Sequence, residues 1–354
     1  MRAAVLHGRE EIRIQAFIPP PLQPGELRLR IEAALTCGTD LKVYRRGYHA
    51  RMLTPPCPFG HELAGVITEV HPETIGWSVG ARVVPANSAP CLSCHPCRIG
   101  QPNLCDDLLF LNGAYAESIV IPARIVSLNL LPIPDHLSFA EAALTEPLAC
   151  VVQGLRDLQL KSTEHLLVLG AGPIGLMAVA LARQTGARVT VIGRNKARLK
   201  KALRLGAEVA LENQSADGVD HPGLAGQLFD AVFEAVGKPG LWEAAVRLVR
   251  KGGRVNFFGG CPAGTVVQLD TSRIHYSALT LLASFHHTPE TIRQALAHIT
   301  HGSVRGTDFI DDEVFLDEVP ELFARMARGN ASVKTLIKNH PSTPGTPPSD
   351  CHHA

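Results

Sequence analysis

The chain has 354 residues, 45% hydrophobic and 19% charged, which supports about two packed domains at roughly 150 residues each and excludes wholesale disorder. Lys plus Arg number 34 against 33 Asp plus Glu, a net charge of +1, so there is no global field for holding nucleic acid or an anionic membrane. The longest apolar run, Leu166 to Ala182, contains three glycines and Pro173, a pattern of strand, turn and helix rather than of a bilayer span. Arg9, Glu10, Glu11 and Arg13 stand where a signal peptide needs its apolar stretch, so a cytoplasmic protein is expected.

Residues 1–145 read as β-rich. Runs such as Glu26 to Ala33 and Ala64 to Val70 alternate with proline and glycine turns. Cys37-Gly38-Thr39-Asp40 follows the first of these runs, and Gly60-His61-Glu62 precedes the second. Taken singly, each has a plain reading: a buried thiol, a satisfied histidine, a capping acid. Spacing alone does not join them to each other or to Glu146-Pro147-Leu148-Ala149.

Four of the nine cysteines, Cys91, Cys94, Cys97 and Cys105, fall within fifteen residues. In a reducing compartment such clustering favours metal over disulfides. Four thiolates on one loop close a tetrahedral shell with no open position, which describes a structural zinc site. An iron–sulfur cluster and unrelated thiols are the alternatives, and zinc is the stronger reading beside the motif that follows. Only Arg98 is basic within the loop, which argues against a nucleic-acid finger.

From Glu146 the texture changes to alternating strands and helices. Predicted strands are Leu166 to Gly170, Arg188 to Ile192, Phe229 to Ala235, Gly253 to Phe258 and Leu279 to Ala283. Predicted helices are Pro173 to Thr185 and Lys196 to Leu205, with two more at Pro289 to His301 and Val319 to Arg328. The alternation implies a doubly wound parallel sheet. Gly170, Gly172 and Gly175, with Ala171, Pro173 and Ile174 between them, form Gly-x-Gly-x-x-Gly between a strand and a helix. This is the Rossmann fingerprint for a dinucleotide pyrophosphate.

An NAD site places an acid at the end of the next strand, about 20 residues on. Here that place is Gly193, followed by Arg194, with Lys196 and Arg198 close behind. An acid is missing and a base is added, so NADP is predicted over NAD. The last stretch, residues 341–354, is rich in proline, serine and threonine and is expected to be a disordered tail. Its Cys351-His352-His353 reads as solvated.

Taken in order, these motifs resemble the zinc-dependent medium-chain dehydrogenase/reductase family. The resemblance is carried by Cys-Gly-Thr-Asp, Gly-His-Glu with Gly65, the four-cysteine loop with Gly100 and Asn103, Glu-Pro-Leu-Ala, and the Rossmann glycines. Gly113 to Glu117 is similar to a family strand, and Glu146-Pro147 is similar to the sorbitol and threonine dehydrogenase branch. The resemblance implies a GroES-like catalytic domain over residues 1–145, completed by about 285–340, and a Rossmann domain over 146–284.

The resemblance further implies that Cys37 and His61 bind a catalytic zinc. Glu62 would be a direct or switching ligand, and Glu146 would bind directly or through water. Thr39 would pass the proton, and Asp40 would orient His61. Cys91, Cys94, Cys97 and Cys105 would bind a structural zinc, making two per chain. The implied activity is hydride transfer between a secondary alcohol, or its ketone or aldehyde, and a nicotinamide. Two alternatives are a biosynthetic reductase of a cyclitol or amino-sugar ketone, and a non-catalytic member. The expected partner is a small alcohol or carbonyl, with neither nucleic acid nor membrane, in a homodimer or homotetramer. The chain departs from the family at Lys42, His71 and Ala81. It departs again at His286-His287, which stand where sorbitol dehydrogenases carry Arg-Tyr.

Overall fold

The computed structural model describes residues 1–16, 18–49, 51–215, 219, 221–224, 226–329 and 332–339. The expected tail, with Cys351-His352-His353, lies outside the described residues.

The strand Leu27–Leu35 shows how the first sheet is specified. Leu27, Leu29, Ile31 and Ala33 are buried and Arg30 is exposed, the period of two that a half-buried strand requires. It pairs antiparallel with Glu62–Val70 and with Ser118–Ile121. Its C-terminal end also pairs with Lys334–Lys338, which lies beside Ile310–Phe315. Strands from the end of the chain therefore complete a sheet begun near its start. Phe59, Tyr115 and Phe323 interlock among the large side chains beneath it, with ring centroids 5.3–5.8 Å apart.

One local reading needs correction. Gly113 to Glu117 forms an isolated bridge, Ala3 to Ala116, before the strand Ser118–Ile121 begins. Tyr115 N–H donates to Phe59 O while Tyr115 O accepts from Ala4 N–H, so the segment bonds two different neighbours and forms no ladder. The β-rich region also holds the helices Gly38–Arg46 and Ala123–Asn129.

The second sheet is parallel throughout. Its order is Val209–Glu212, Arg188–Gly193, His165–Leu169, Phe229–Glu234, Val249–Phe257 and Thr280–Leu282. His165–Leu169 is buried along its whole length, as a central parallel strand with both faces covered must be. The order reverses between His165–Leu169 and Phe229–Glu234, and ligands of such sheets bind at that switch point, beyond the strand ends. The helix Pro173–Gln184 starts from Gly172 with proline in its first turn. Asn195 caps Lys196–Arg204 through the Arg198 N–H at 3.0 Å. Among the helices with no sequence expectation are Thr145–Leu158, Pro239–Leu248 and Thr271–Tyr276. One apolar core runs from Leu35, Ala64 and Val84 through Leu144 and Leu148 to Val168 and Phe233, joining the two sheets.

Candidate active site

Register brings the first cluster together. Leu35 is opposite Glu62 in the antiparallel pair, so Cys37, two residues past one strand, meets His61 and Glu62 at the start of the other. The ligating atoms of Cys37, His61 and Glu62 lie within 4.8 Å of one another. Gly60 opens this motif at φ +87°, and a Cβ there would stand 2.7 Å from the Tyr115 ring. Both facts require glycine.

His61 Nδ1–H donates to Asp40 Oδ1 at 2.9 Å, and Tyr115 O–H donates to Asp40 Oδ2 at 2.5 Å. The Nδ1 bond leaves Nε2 as the donor atom for a metal, the arrangement usual for a ligating histidine. Burial alone would lower the His61 imidazole, but Asp40 and Cys37 raise it well above its ordinary value. An electron-rich pocket of this kind suits a cation.

Lys334 had no sequence signal beyond being a lysine in an apolar strand. Its ammonium lies 2.7 and 2.5 Å from the two Glu62 oxygens and 3.0 Å from Thr36 O. Burial pushes the Glu62 carboxyl up to about 7, against the opposing pull of Lys334. In the described structure Glu62 is thus held by an ammonium.

Glu146 enters from the first turn of Thr145–Leu158. Its ligating atom groups with those of Cys150, one turn on, and His286, all within 4.8 Å of one another. His287 Nε2 lies 4.0 Å from Glu146 Oε1 and 2.8 Å from Asn87 Oδ1. His286 Nε2 is 2.6 Å from Ser88 Oγ. Burial lowers His286 to about 3 and takes His287 well below its ordinary value, so both rings are neutral. Cys150, Asn87 and Ser88 were not anticipated, because nothing in their spacing ties them to the other motifs.

The four-cysteine loop is arranged for a metal. Its four sulfurs lie within 4.8 Å of one another, with Cys94 to Cys105 at 3.8 Å and Cys105 to Cys91 at 3.4 Å. Sulfurs around a tetrahedral zinc at about 2.3 Å stand about 3.8 Å apart. Hydrogen bonds from Ser93 and Cys94 lower Cys91 to about 6, while burial and neighbouring sulfurs push Cys97 up to about 12. Four such thiols cannot all ionise together without a cation. The donor set fits zinc.

The glycine motif sits at the switch point. A Cβ on Gly175 would be 1.8 Å from Gly170 O, and one on Gly170, at φ +112°, would be 2.5 Å from Val236 Cγ2. A Cβ on Gly172 would meet no other part of the described residues within 4 Å, which leaves the helix N-terminus, with Pro173 and Ile174 in its first turn, open to a phosphate. A Cβ on Gly193 would meet Ala171 Cβ at 2.7 Å. The nearby cations differ. Arg198 donates to Ser332 O at 2.6 Å and Lys196 pairs with Glu212 at 3.4 Å. Among the described residues Arg194 is exposed and has no ion-pair partner. From across the cleft, Lys42 Nζ reaches Gly260 O at 3.5 Å.

The family model for the alcohol dehydrogenase GroES-like domain matches residues 23–135, and that for zinc-binding dehydrogenase matches 173–301. A D-altritol 5-dehydrogenase of Agrobacterium fabrum (strain C58) is 34% identical over 325 residues, covering 88% of this chain and 92% of its own. The sorbitol dehydrogenase of Bacillus subtilis (strain 168) is 28% identical over 347 residues, covering 95% and 97%. A Sinorhizobium meliloti 1021 chain, assigned as a zinc-binding dehydrogenase and solved with NADP, has a TM-score of 0.85 at 28% identity, covering 95% and 98%.

Proposed function

The chain belongs to the zinc-dependent medium-chain alcohol dehydrogenase family, sorbitol dehydrogenase-like branch, and from that premise we propose how its residues divide the work. It is an oxidoreductase acting on CH–OH, moving hydride between a polyol or other alcohol and a nicotinamide cofactor. Cys37, His61 and Glu146 are the residues that would hold the catalytic zinc. Glu62 would act as an exchangeable ligand, drawn off by Lys334 when it is not on the metal. The observation that carries this reading is the Cys37, His61 and Glu62 donor cluster, with His61 already oriented by Asp40.

When bound there, zinc supplies a Lewis acid that makes an alcohol easier to deprotonate. The protein's own groups do the rest. Asp40 fixes the His61 tautomer, as described above. The Thr39 hydroxyl, in the first turn of Gly38–Arg46, takes the proton from the substrate hydroxyl and passes it outward. Beyond it stands Lys42, a lysine where relatives carry a relay histidine. The Lys42 Nζ is turned to Gly260 O, at 3.5 Å, so the relay ends at Thr39 and water. The neutral His286 and His287 line the side of the site next to Glu146.

NADP is the favoured cofactor, since Gly193 leaves no room for a ribose-binding acid and Arg194 is free to meet a 2′-phosphate. Cys91, Cys94, Cys97 and Cys105 would hold a second, structural zinc. A cytoplasmic homo-oligomer is the setting in which these features fit together.

The test pairs metal analysis with a screen of secondary polyols, following reduced nicotinamide by absorbance. Two zinc ions per chain are expected. Cys37→Ala should lose one zinc and turnover while keeping its melting temperature near wild type. Cys97→Ala should lose the other zinc and melt lower. A single zinc in active wild-type protein would contradict the assignment.

A further inference from the structure

The segment after helix Gly38–Arg46 is built to hold one arginine in place. His49 Nδ1 accepts the N–H groups of Arg51 and Met52 at 3.1 and 3.0 Å. His49 also bridges to Leu53, and Asn112 Nδ2 donates to Met52 O at 2.8 Å. The Arg51 guanidinium then lies 5.5 Å from the centroid of the Phe285 ring. No carboxylate among the described residues pairs with it. A cation–π contact of this kind orients a guanidinium and leaves its in-plane N–H groups unused.

Phe285 is fixed as well. Asn103, from the four-cysteine loop, donates to Phe285 O at 2.9 Å, and His286 beside it holds φ at +65°. From Phe285 a row of rings leads inward. Phe285 stacks on His286 at 5.6 Å, His286 lies tilted against His287 at 4.0 Å, and His287 Nε2 ends 4.0 Å from Glu146 Oε1. At one end stands the donor cluster for the reacting hydroxyl, and at the other a free, pre-positioned guanidinium on a ring that is 40% exposed.

We propose that Arg51 and Phe285 seat an anionic group of the substrate, so that the preferred substrates are alcohols bearing a carboxylate or phosphate several bonds from the reacting carbinol. This rests on the dehydrogenase reading above, since the donor cluster is taken as the other end of the site. Both anions match the two-pronged geometry of a guanidinium, which a neutral hydroxyl engages only singly.

The test measures binding and turnover separately. Matched sets (a hexitol, the corresponding aldonate and the hexitol phosphate) are titrated into the zinc-loaded enzyme with reduced cofactor bound, reading cofactor fluorescence. An anionic member should bind about 10- to 100-fold tighter than its neutral partner, less so at high salt. Whether the aldonate or the phosphate leads identifies the group. In Arg51→Met the preference should fall to near unity, and Arg51→Lys should keep part of it. Equal affinity across each set, or a preference that survives Arg51→Met, would overturn the proposal. So would a loss of cofactor affinity with the preference intact, which would put the arginine on the cofactor. Turnover of neutral polyols alone would leave the dehydrogenase reading standing while the Arg51 seat fails. Tighter binding of the anionic members with no turnover of any member would do the reverse.

Discussion

Glu146 sits in the first turn of its helix, where free N–H groups favour negative charge, yet burial raises its carboxyl. A cation beside it would resolve that conflict. Glu146→Gln keeps the shape and removes the charge. Turnover is expected to drop about 10- to 100-fold, in line with losses at groups that support a metal, with cofactor affinity nearly unchanged. Equal losses in both would reduce Glu146 to a structural acid. On the proposed NADP preference, Arg194 is the residue to test, because Arg198 and Lys196 are already engaged. Arg194→Ala should lower kcat/KM for NADP about 10-fold or more and leave NAD nearly untouched. The complementary Gly193→Asp variant confounds affinity with packing, since its Cβ would press on Ala171 Cβ at 2.7 Å.

At the level of elements, the end of strand Phe229–Glu234 has its own electrostatic signature. Glu234 accepts the N–H groups of Val236 and Gly237 at 2.9 and 3.0 Å, anchoring the turn whose Val236 packs on Gly170. Burial still raises Glu234 to about 7 from its ordinary 4.5, with Lys42 among the groups that oppose the rise. The native state therefore binds this proton more tightly than the unfolded chain. The associated stability is present at low pH and is lost as pH climbs from about 4.5 to 7. Glu234→Gln keeps the acceptor and cannot ionise. Its melting temperature should gain on wild type across that window and stay level above it. A difference that does not vary with pH would assign the raised value to some other group.

For the whole molecule, Thr280–Leu282 ends the parallel sheet with one side unpaired among the described residues. Val266 and Tyr276, on the segment leading to it, are 86% and 79% exposed. Unpaired edges and exposed apolar groups invite a second copy, and a twofold axis would make the pairing self-complementary. Light scattering at micromolar concentration should give a dimer or tetramer, and a monomer would reject it. No helix among the described residues is long and apolar enough to cross a membrane.

Much of this was legible in the chain itself. The strand and helix of the glycine motif follow from a continuous apolar run, a proline and three glycines. The four-cysteine loop announces itself because its cysteines are close in sequence. What the sequence left open is whatever depends on residues far apart along it. Lys334 reaches Glu62 across 272 positions, and His287 reaches Asn87 across 200. Neither contact leaves a local pattern, since each is created by strand register and by the packing of one sheet on the other. Gly193 and Arg198 make the same point in reverse. Sequence placed both at the cofactor, but only packing shows that one has no room for a side chain and that the other is engaged at Ser332. A short-range pattern records the backbone's own requirements, whereas a buried charge finds its partner only after the chain has folded.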